Sequence, residues 1–412
     1  MTFFGGPFMS QKLIITKDKS TIISAFYQGM DMVQVSLNPI NDEEILGNIY
    51  LGKVKNIVKN INAAFVEIAD GRMCYYSLTD NPNPIMANQS KEDEENKKNI
   101  QIKLGDELIV QVIKEEVKSK APVVSSNISI TGKYLALTHG KSSLGVSTKI
   151  EDSKERKRLR DLIKSYSNKD YGFIVRTNSA FVDEELITKE ISCLIEIYKN
   201  IRSYGIYKSR FSLLYRTPPA YICDIRDGYS DRVDEFVTDD IDLYENMRDY
   251  LVNHQPEDKD KLRLYQDTSI SLSSLYGIKE KIKDAIKPMV WLKSGGSLVI
   301  QPTEALTVID VNTGKAVAGK KKVQETFLRI NLEAAKEIAR QIRLRNISGI
   351  IIIDFIDMAL QKNKDLLMEE LEKEFKKDPI KTTLVDMTAL GLVEVTRKKL
   401  RKPLHEQVND GS

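Results

Sequence analysis

Two aspartates carry the most chemical information in this 412-residue sequence. Asp310 ends the apolar, β-branched run ALTVI and is followed by VNTGK, while Asp354 ends GIIII and is followed by FIDM. Between the runs, NLEAAKEIARQIRLRN puts Leu332, Ala335, Ile338, Ala339 and Ile342 on one helical face and Lys336, Arg340 and Arg343 elsewhere. Strand, helix, strand at this spacing is a βαβ unit with parallel strands. Both aspartates then leave the sheet at its carboxyl edge, where α/β sheets bind ligands. Two carboxylates there repel each other unless a cation lies between them. A hard ion such as Mg²⁺ answers that need, binding one or two carboxylates and completing its octahedron with waters and phosphate oxygens. It would sharpen a water nucleophile and neutralise charge on a phosphodiester in the transition state. Asn312, two residues past Asp310, offers the cation a neutral oxygen or a hold on a water or phosphate. Either aspartate alone has a plainer explanation, the cap of a following helix, so the specific signal is the pair. Lys315, the Lys320-Lys321-Lys322 cluster and the run Arg397, Lys398, Lys399, Arg401, Lys402 offer a positive rim for a polyanion, although a solvated face accounts for most single lysines.

Composition narrows the setting. Lys and Arg number 62 against 59 Asp and Glu, a formal charge of +3. From Ala285 onward there are 22 basic and 17 acidic side chains, leaving 40 against 42 before it, so the basic excess lies with the paired aspartates. Cys74, Cys193 and Cys223 are isolated and share the chain with only His139, His254 and His405. Neither a structural zinc site nor a disulfide framework is expected. No apolar run reaches membrane-spanning length and the N-terminus lacks signal-peptide character, so a cytoplasmic, reducing setting is expected.

Short apolar bursts over Lys12 to Val35 suggest two strands and a turn, too small to bury a core without a partner elsewhere. From Ile45 to Ser126 strand follows strand, with Asp70-Gly71 as a hairpin turn, as in a small closed barrel of the OB type. The insert NPNPIMANQSKEDEENKKN reads as a solvated loop. Lys133 to Tyr221 mixes strands (KYLALTH, YGFIVRT) with two helices, and Thr217-Pro218-Pro219 marks a boundary. Strand and acidic helices continue to Ile286, and Pro288 to Leu404 alternates strand and helix as α/β.

At these residues a resemblance emerges. GGSLVIQPTEALTVIDVNTGKAV, NLEAAKEIARQIRLRNISGIIIIDFIDM and GLVEVTRKK resemble the signature blocks of the ribonuclease E/G family. IYLGKVKNIVKNINAAFVEI resembles its OB-type RNA-binding barrel, and DYGFIVRTNSA its sensor for the 5′ end of RNA. The resemblance runs from about Lys12 to Leu404. It implies a multidomain α/β protein with a β-barrel: a discontinuous ribonuclease H-like subdomain (1–43 and 220–286) interrupted by an OB-fold barrel (44–127) and a 5′-sensor domain (128–219), then a DNase I-like subdomain (287–412). The strands of Lys12 to Val35 would then pair with those of 220–286.

The activity so implied is Mg²⁺-dependent endoribonuclease cleavage of single-stranded, A/U-rich, 5′-monophosphorylated RNA in rRNA processing and mRNA decay, with Mn²⁺ an expected substitute. Products would carry 5′-phosphate and 3′-hydroxyl ends. By position in the blocks, Asp310 and Asp354 stand for the metal-binding aspartates and Asn312 for the asparagine that positions the scissile phosphate. Arg176 and Thr177 stand for the pair gripping a 5′-monophosphate, where a guanidinium offers two parallel donors. Gly145 and Val146 would form the other wall. Phe65 and Tyr75 match aromatics that stack on bases, the alternative being that they fill the barrel core, and Lys120 matches a basic contact. Lys381 falls where the family carries an RNA-contacting arginine, keeping the charge without the fork. Ala389 and Ala121 depart from the pattern. The CPxC zinc link does not follow the basic run, so a monomer or homodimer is expected and not a zinc-linked tetramer. A non-catalytic RNA-binding protein using the barrel and the basic C-terminal third is the competing reading.

Overall fold

The computed structural model describes residues 10–40, 45–87, 101–116, 120–140, 144–205, 207–227, 233–314, 323–399 and 401–410. The chain divides into two compact units, residues 43–219 and residues 1–42 with 220–412.

In the first unit, strands Ile49–Val58, Ala63–Ala69, Arg72–Ser77, Val123–Ser125 and Glu107–Lys114 are neighbours in that order. The last pairs back on the first, from Ile49 opposite Gln111 to Lys53 opposite Glu107, closing a five-stranded barrel. Alternation builds its inside: Val54, Ala64, Val66, Cys74, Tyr76, Leu108, Val110 and Val124 point inward and are buried. Gly71, at φ +77°, makes the hairpin turn after Asp70. Part of the stretch expected to be solvated loop is a short strand, Ile85–Met86, pairing with Glu107–Lys114 because Ile85 has a core to enter. Strands Ser129–Thr131, Leu135–His139, Tyr171–Val175 and Gly145–Val146 form a second sheet. Helices Ser153–Lys164 and Glu184–Gly205 lay Leu159, Ile163, Ile187, Ile191 and Leu194 into the core it shares.

The second unit holds two sheets. Residues 11–39 form three antiparallel strands, Gln11–Asp18, Thr21–Gln28 and Asp31–Pro39, where the apolar bursts suggested two. The required partner is Glu235–Thr238, which pairs parallel to the first strand with Lys12 opposite Glu235, and Leu262–Leu264 follows it. The other sheet has six strands in the order Met289–Trp291, Ser297–Pro302, Leu306–Asn312, Gly349–Asp354, Leu392–Arg397, Thr382–Met387. Its one parallel pair is Leu306–Asn312 with Gly349–Asp354, joined by the crossover helix Val323–Leu344. That helix begins earlier than the apolar pattern and is seated by Ile330, Ala334, Ala335, Ile338, Ala339 and Ile342, whereas Leu332 is only half-buried.

Arg397, read from sequence as part of the basic rim, is buried. Its Nε donates to Asp378 at 2.7 Å and its Nη1 to the Asn346 side chain at 2.9 Å and the Ile347 carbonyl at 3.0 Å. Arg401 is likewise engaged, with Asp224 at 3.1 Å, while Lys398, Lys399 and Lys402 are exposed. Charge counting cannot separate these roles. In Arg397→Met, Asp378 keeps its buried charge without the guanidinium, and chemical denaturation should show a loss of about 3–5 kcal/mol. A loss typical of a surface pair, below about 1 kcal/mol, would refute the assignment.

Candidate active site

Register brings the two aspartates together. On neighbouring parallel strands Asp310 lies directly opposite Asp354, so the backbones stand about 4.8 Å apart and the carboxylates share one face. Asp310 is half-buried and Asp354 is exposed at the strand end. Burial, then the charges of Asp310 and of Asp357, raise the Asp354 carboxyl above the ordinary aspartate value. Asp357 was not singled out from sequence, although DFID displays it three residues past Asp354.

The surroundings fix these groups. Asn312 Nδ2 donates to Asp310 Oδ2 at 2.7 Å, which orients the carboxylate and commits the amide nitrogen to it. Gly314 sits at φ +57° against the neighbouring turn, where an added Cβ would meet the Gly295 carbonyl oxygen at 2.2 Å. The VNTG turn therefore depends on this glycine. Asn331, fully buried on the crossover helix, donates to the Ile356 carbonyl at 2.8 Å and accepts from the Ile356 N–H at 3.2 Å. It pins the loop between Asp354 and Asp357, and its only sequence signal was an amide in an apolar face. Lys381 is exposed just before the outer strand Thr382–Met387. Lys315 and Lys320 to Lys322 lie outside the described residues.

Among the described residues, no group of three or more His, Cys, Asp or Glu side chains is arranged to hold a metal ion. The donor set is a pair of carboxylates at an open edge with a third acid nearby. Such a set suits a hard cation that keeps much of its shell in water and phosphate oxygens, and does not suit a closed cage.

In the other unit, the residues expected to sense a 5′ end also meet. Val146 lies opposite Val175 and Gly145 opposite Ile174, and the Ser147 hydroxyl is 3.0 Å from that of Thr177. Arg176 Nη1 donates to the Gly132 carbonyl at 2.5 Å. Glu190 accepts from the N–H groups of Lys133, Tyr134 and Leu135 at 2.7–2.9 Å, stapling the segment Arg176 leans on. Burial raises the Glu190 carboxyl, against those hydrogen bonds and the charge of Arg176. Ser147 lies in LGVSTK, the segment expected to form the other wall, whereas Gly132 and Glu190 had no sequence signal, because each acts through a partner more than 40 residues away.

On the barrel, Phe65 pairs directly with Tyr75 across adjacent strands, so both are on one face, which hairpin parity had left open. Their rings meet edge to face with centroids 6.3 Å apart, half-exposed while the alternate residues fill the core. Lys120 is exposed and lines a cavity of about 550 Å³ with Arg72, Met73 and Pro122, whose carbonyl accepts from the Tyr75 N–H.

These features coincide with a known family. Residues 129–400 match the model of the Ribonuclease E/G family, and the chain belongs to that family; by class it is an endoribonuclease. Ribonuclease G of Salmonella typhimurium (strain SL1344) is 31% identical over 405 residues, covering 96% of this chain and 81% of that protein. Ribonuclease G of Haemophilus influenzae is 32% identical, covering 89% of the chain and 75% of that protein. Ribonuclease E of Synechocystis sp. is 33% identical, covering 96% of the chain and 58% of that protein. No helix among the described residues is long and apolar enough to cross a membrane.

One electrostatic clamp in the unit of residues 43–219 is open to a pH test. Glu155, buried, accepts from Arg158 Nε at 2.9 Å and Nη2 at 2.8 Å, and from the Phe181 N–H at 2.9 Å. Hydrogen bonding from Arg158 holds its carboxyl below the ordinary glutamate value, against burial and with help from the Phe181 N–H. A lowered folded-state value means the stabilisation is complete above the unfolded glutamate value, about 4.3, and is lost as pH falls through the folded one. Glu155→Gln should cost roughly 1–3 kcal/mol at pH 7, and the gap to wild type in thermal melts should narrow below pH of about 4. A gap that stays constant into that range would contradict the charge-based account.

Proposed function

We propose that the chain hydrolyses phosphodiester bonds of single-stranded RNA at the Asp310 and Asp354 edge, using a divalent cation, Mg²⁺ with Mn²⁺ as substitute. The observation carrying this reading is the in-register pair of carboxylates, with Asp354 raised by burial and by two neighbouring acids. That much negative charge beside a polyanionic substrate would repel it, and a cation held by both carboxylates resolves the conflict. When bound, the cation supplies charge neutralisation on the phosphodiester and acidification of a water. Asp310, oriented by Asn312, and Asp354 hold it. Asn331 keeps the Asp354 to Asp357 loop from relaxing away from the charge cluster. The side-chain oxygen of Asn312, whose nitrogen is engaged with Asp310, accepts from the attacking water, and the nitrogen reaches the scissile phosphate as a donor only by leaving Asp310. Phe65 and Tyr75 give successive bases a stacking surface, with Lys120 as a phosphate contact and Lys381 as another at the catalytic sheet. Arg176 and Thr177 grip a 5′-monophosphate. Cytoplasmic processing of ribosomal precursors and decay of messenger RNA fit such an enzyme, acting as monomer or homodimer.

The test is cleavage of a 5′-monophosphorylated oligoribonucleotide with Mg²⁺. Asp310→Asn and Asp354→Asn should each lower the rate by about 10²-fold or more, and each should also reduce the rise in melting temperature that Mg²⁺ gives the RNA-free protein. Wild-type rates in both variants would eliminate this centre. Separately, Arg176→Ala should reduce the preference for 5′-monophosphate over 5′-hydroxyl RNA by about tenfold, the scale of a lost charge-assisted contact. An unchanged ratio would show that the pocket is unused.

A further inference from the structure

Phe181 combines two unfavourable features. Its side chain is 76% exposed, and its backbone stands at φ +59°, in the left-handed region that a bulky residue rarely occupies. Neither folding nor core packing accounts for an aromatic ring in that state, and backbone outliers of this kind gather at ligand clamps.

The local structure fixes the ring's base firmly. Glu155, held by two hydrogen bonds from Arg158, accepts from the Phe181 N–H, while Arg158 Nη2 donates to the Val182 carbonyl at 3.1 Å. The Phe181 N–H and the Val182 carbonyl, one residue further on, are thus tied to one ion pair. The path from Arg176 to Phe181 is tightly wound as well. Ser179 N–H donates to the Arg176 carbonyl, Ala180 N–H to that of Thr177, and Val182 N–H to that of Ser179. From Thr177 to Phe181 the contour is at most about 15 Å, and these turns shorten it to roughly the reach of one nucleotide. An exposed, immobilised aromatic that close to a guanidinium and a hydroxyl has the chemistry of a nucleotide subsite: phosphate on one side, base on the other.

We propose that Phe181 is the stacking platform for the 5′-terminal base of the RNA, so that the sensor reads a nucleotide and not a phosphate alone. This rests on the reading of Arg176 and Thr177 as the phosphate grip, and the test keeps the two apart. Three oligoribonucleotides are compared: 5′-monophosphate with a normal first nucleotide, 5′-monophosphate with an abasic first residue, and 5′-hydroxyl with a normal first nucleotide. Wild type should bind and cleave the first better than the second, by about tenfold in KM, the scale of one base stacked on an aromatic. Phe181→Gly, which suits the left-handed backbone and should melt no lower than wild type, should erase the difference between base and abasic ends. Phe181→Tyr should keep it. The proposal is overturned if wild type does not distinguish base from abasic ends, or if Phe181→Gly still does. The phosphate reading is judged on another ratio, 5′-monophosphate against 5′-hydroxyl in Arg176→Ala, and its failure leaves the base ratio readable. A ring that serves a protein partner would give the same base ratio in wild type and Phe181→Gly, which counts against the proposal.

Discussion

The parallel register between Leu306–Asn312 and Gly349–Asp354 sets two carboxylates side by side at a sheet edge, and the residues around that edge are arranged around that electrostatic cost. Like charges at such separation interact by several kcal/mol when partly removed from water, about 4 kcal/mol at 4 Å for an effective dielectric of 20. Among the described residues, the charges that act on Asp354 are acidic. The fold adds a third acid, Asp357, and hardens the frame: an amide from Asn312 on Asp310, a buried Asn331 on the following loop, a glycine-dependent turn at Gly314. These supports hold the acidic cluster in place, which is the arrangement that the cation reading proposed above requires.

Basic side chains serve elsewhere. Arg397 and Arg401 belong to buried or half-buried ion pairs that tie strand, helix and chain terminus together. Burial of Arg397 with Asp378 is tolerable because Asn346, Ile347 and Thr382 satisfy further polar atoms around the pair. Lys398, Lys399 and Lys402 remain exposed, where charge acts on a polyanion at long range and in a salt-dependent way. A run of like charges in sequence is thus split between Arg397, which ends the strand and is buried, Arg401, which is half-buried in an ion pair, and exposed lysines beyond the strand.

The unit of residues 43–219 uses the opposite device, acids that hold backbone. Glu190 gathers three consecutive N–H groups and Glu155 takes the N–H of Phe181 while bridging to Arg158. Carboxylates suit this work because they only accept, and an ionised acceptor makes stronger bonds to backbone donors than a neutral one. The segments at Arg176 and Phe181 are thus held by charge-assisted bonds, with Arg176 half-buried against the Gly132 carbonyl and the Phe181 ring exposed.

Periodicity and spacing in the sequence determined the βαβ unit, the strand-rich barrel with its Asp70-Gly71 turn, the pairing of Asp310 with Asp354, and the need of residues 12–35 for a distant partner. These are local patterns, alternation of two and repeat of 3.6, that the chain carries whatever it packs against. What only the tertiary structure decided are relations between residues far apart in sequence: the third strand of the N-terminal meander, the burial of Arg397, the shared face of Phe65 and Tyr75, and the supporting roles of Asn331, Gly132 and Glu190. Each depends on which neighbour an element packs against, and for the strand residues a one-residue shift in register would reverse it. Hydrogen bonds such as Arg176 to Gly132, or Asn331 to Ile356, exist only once the sheets have closed, and no composition or local spacing encodes that closure.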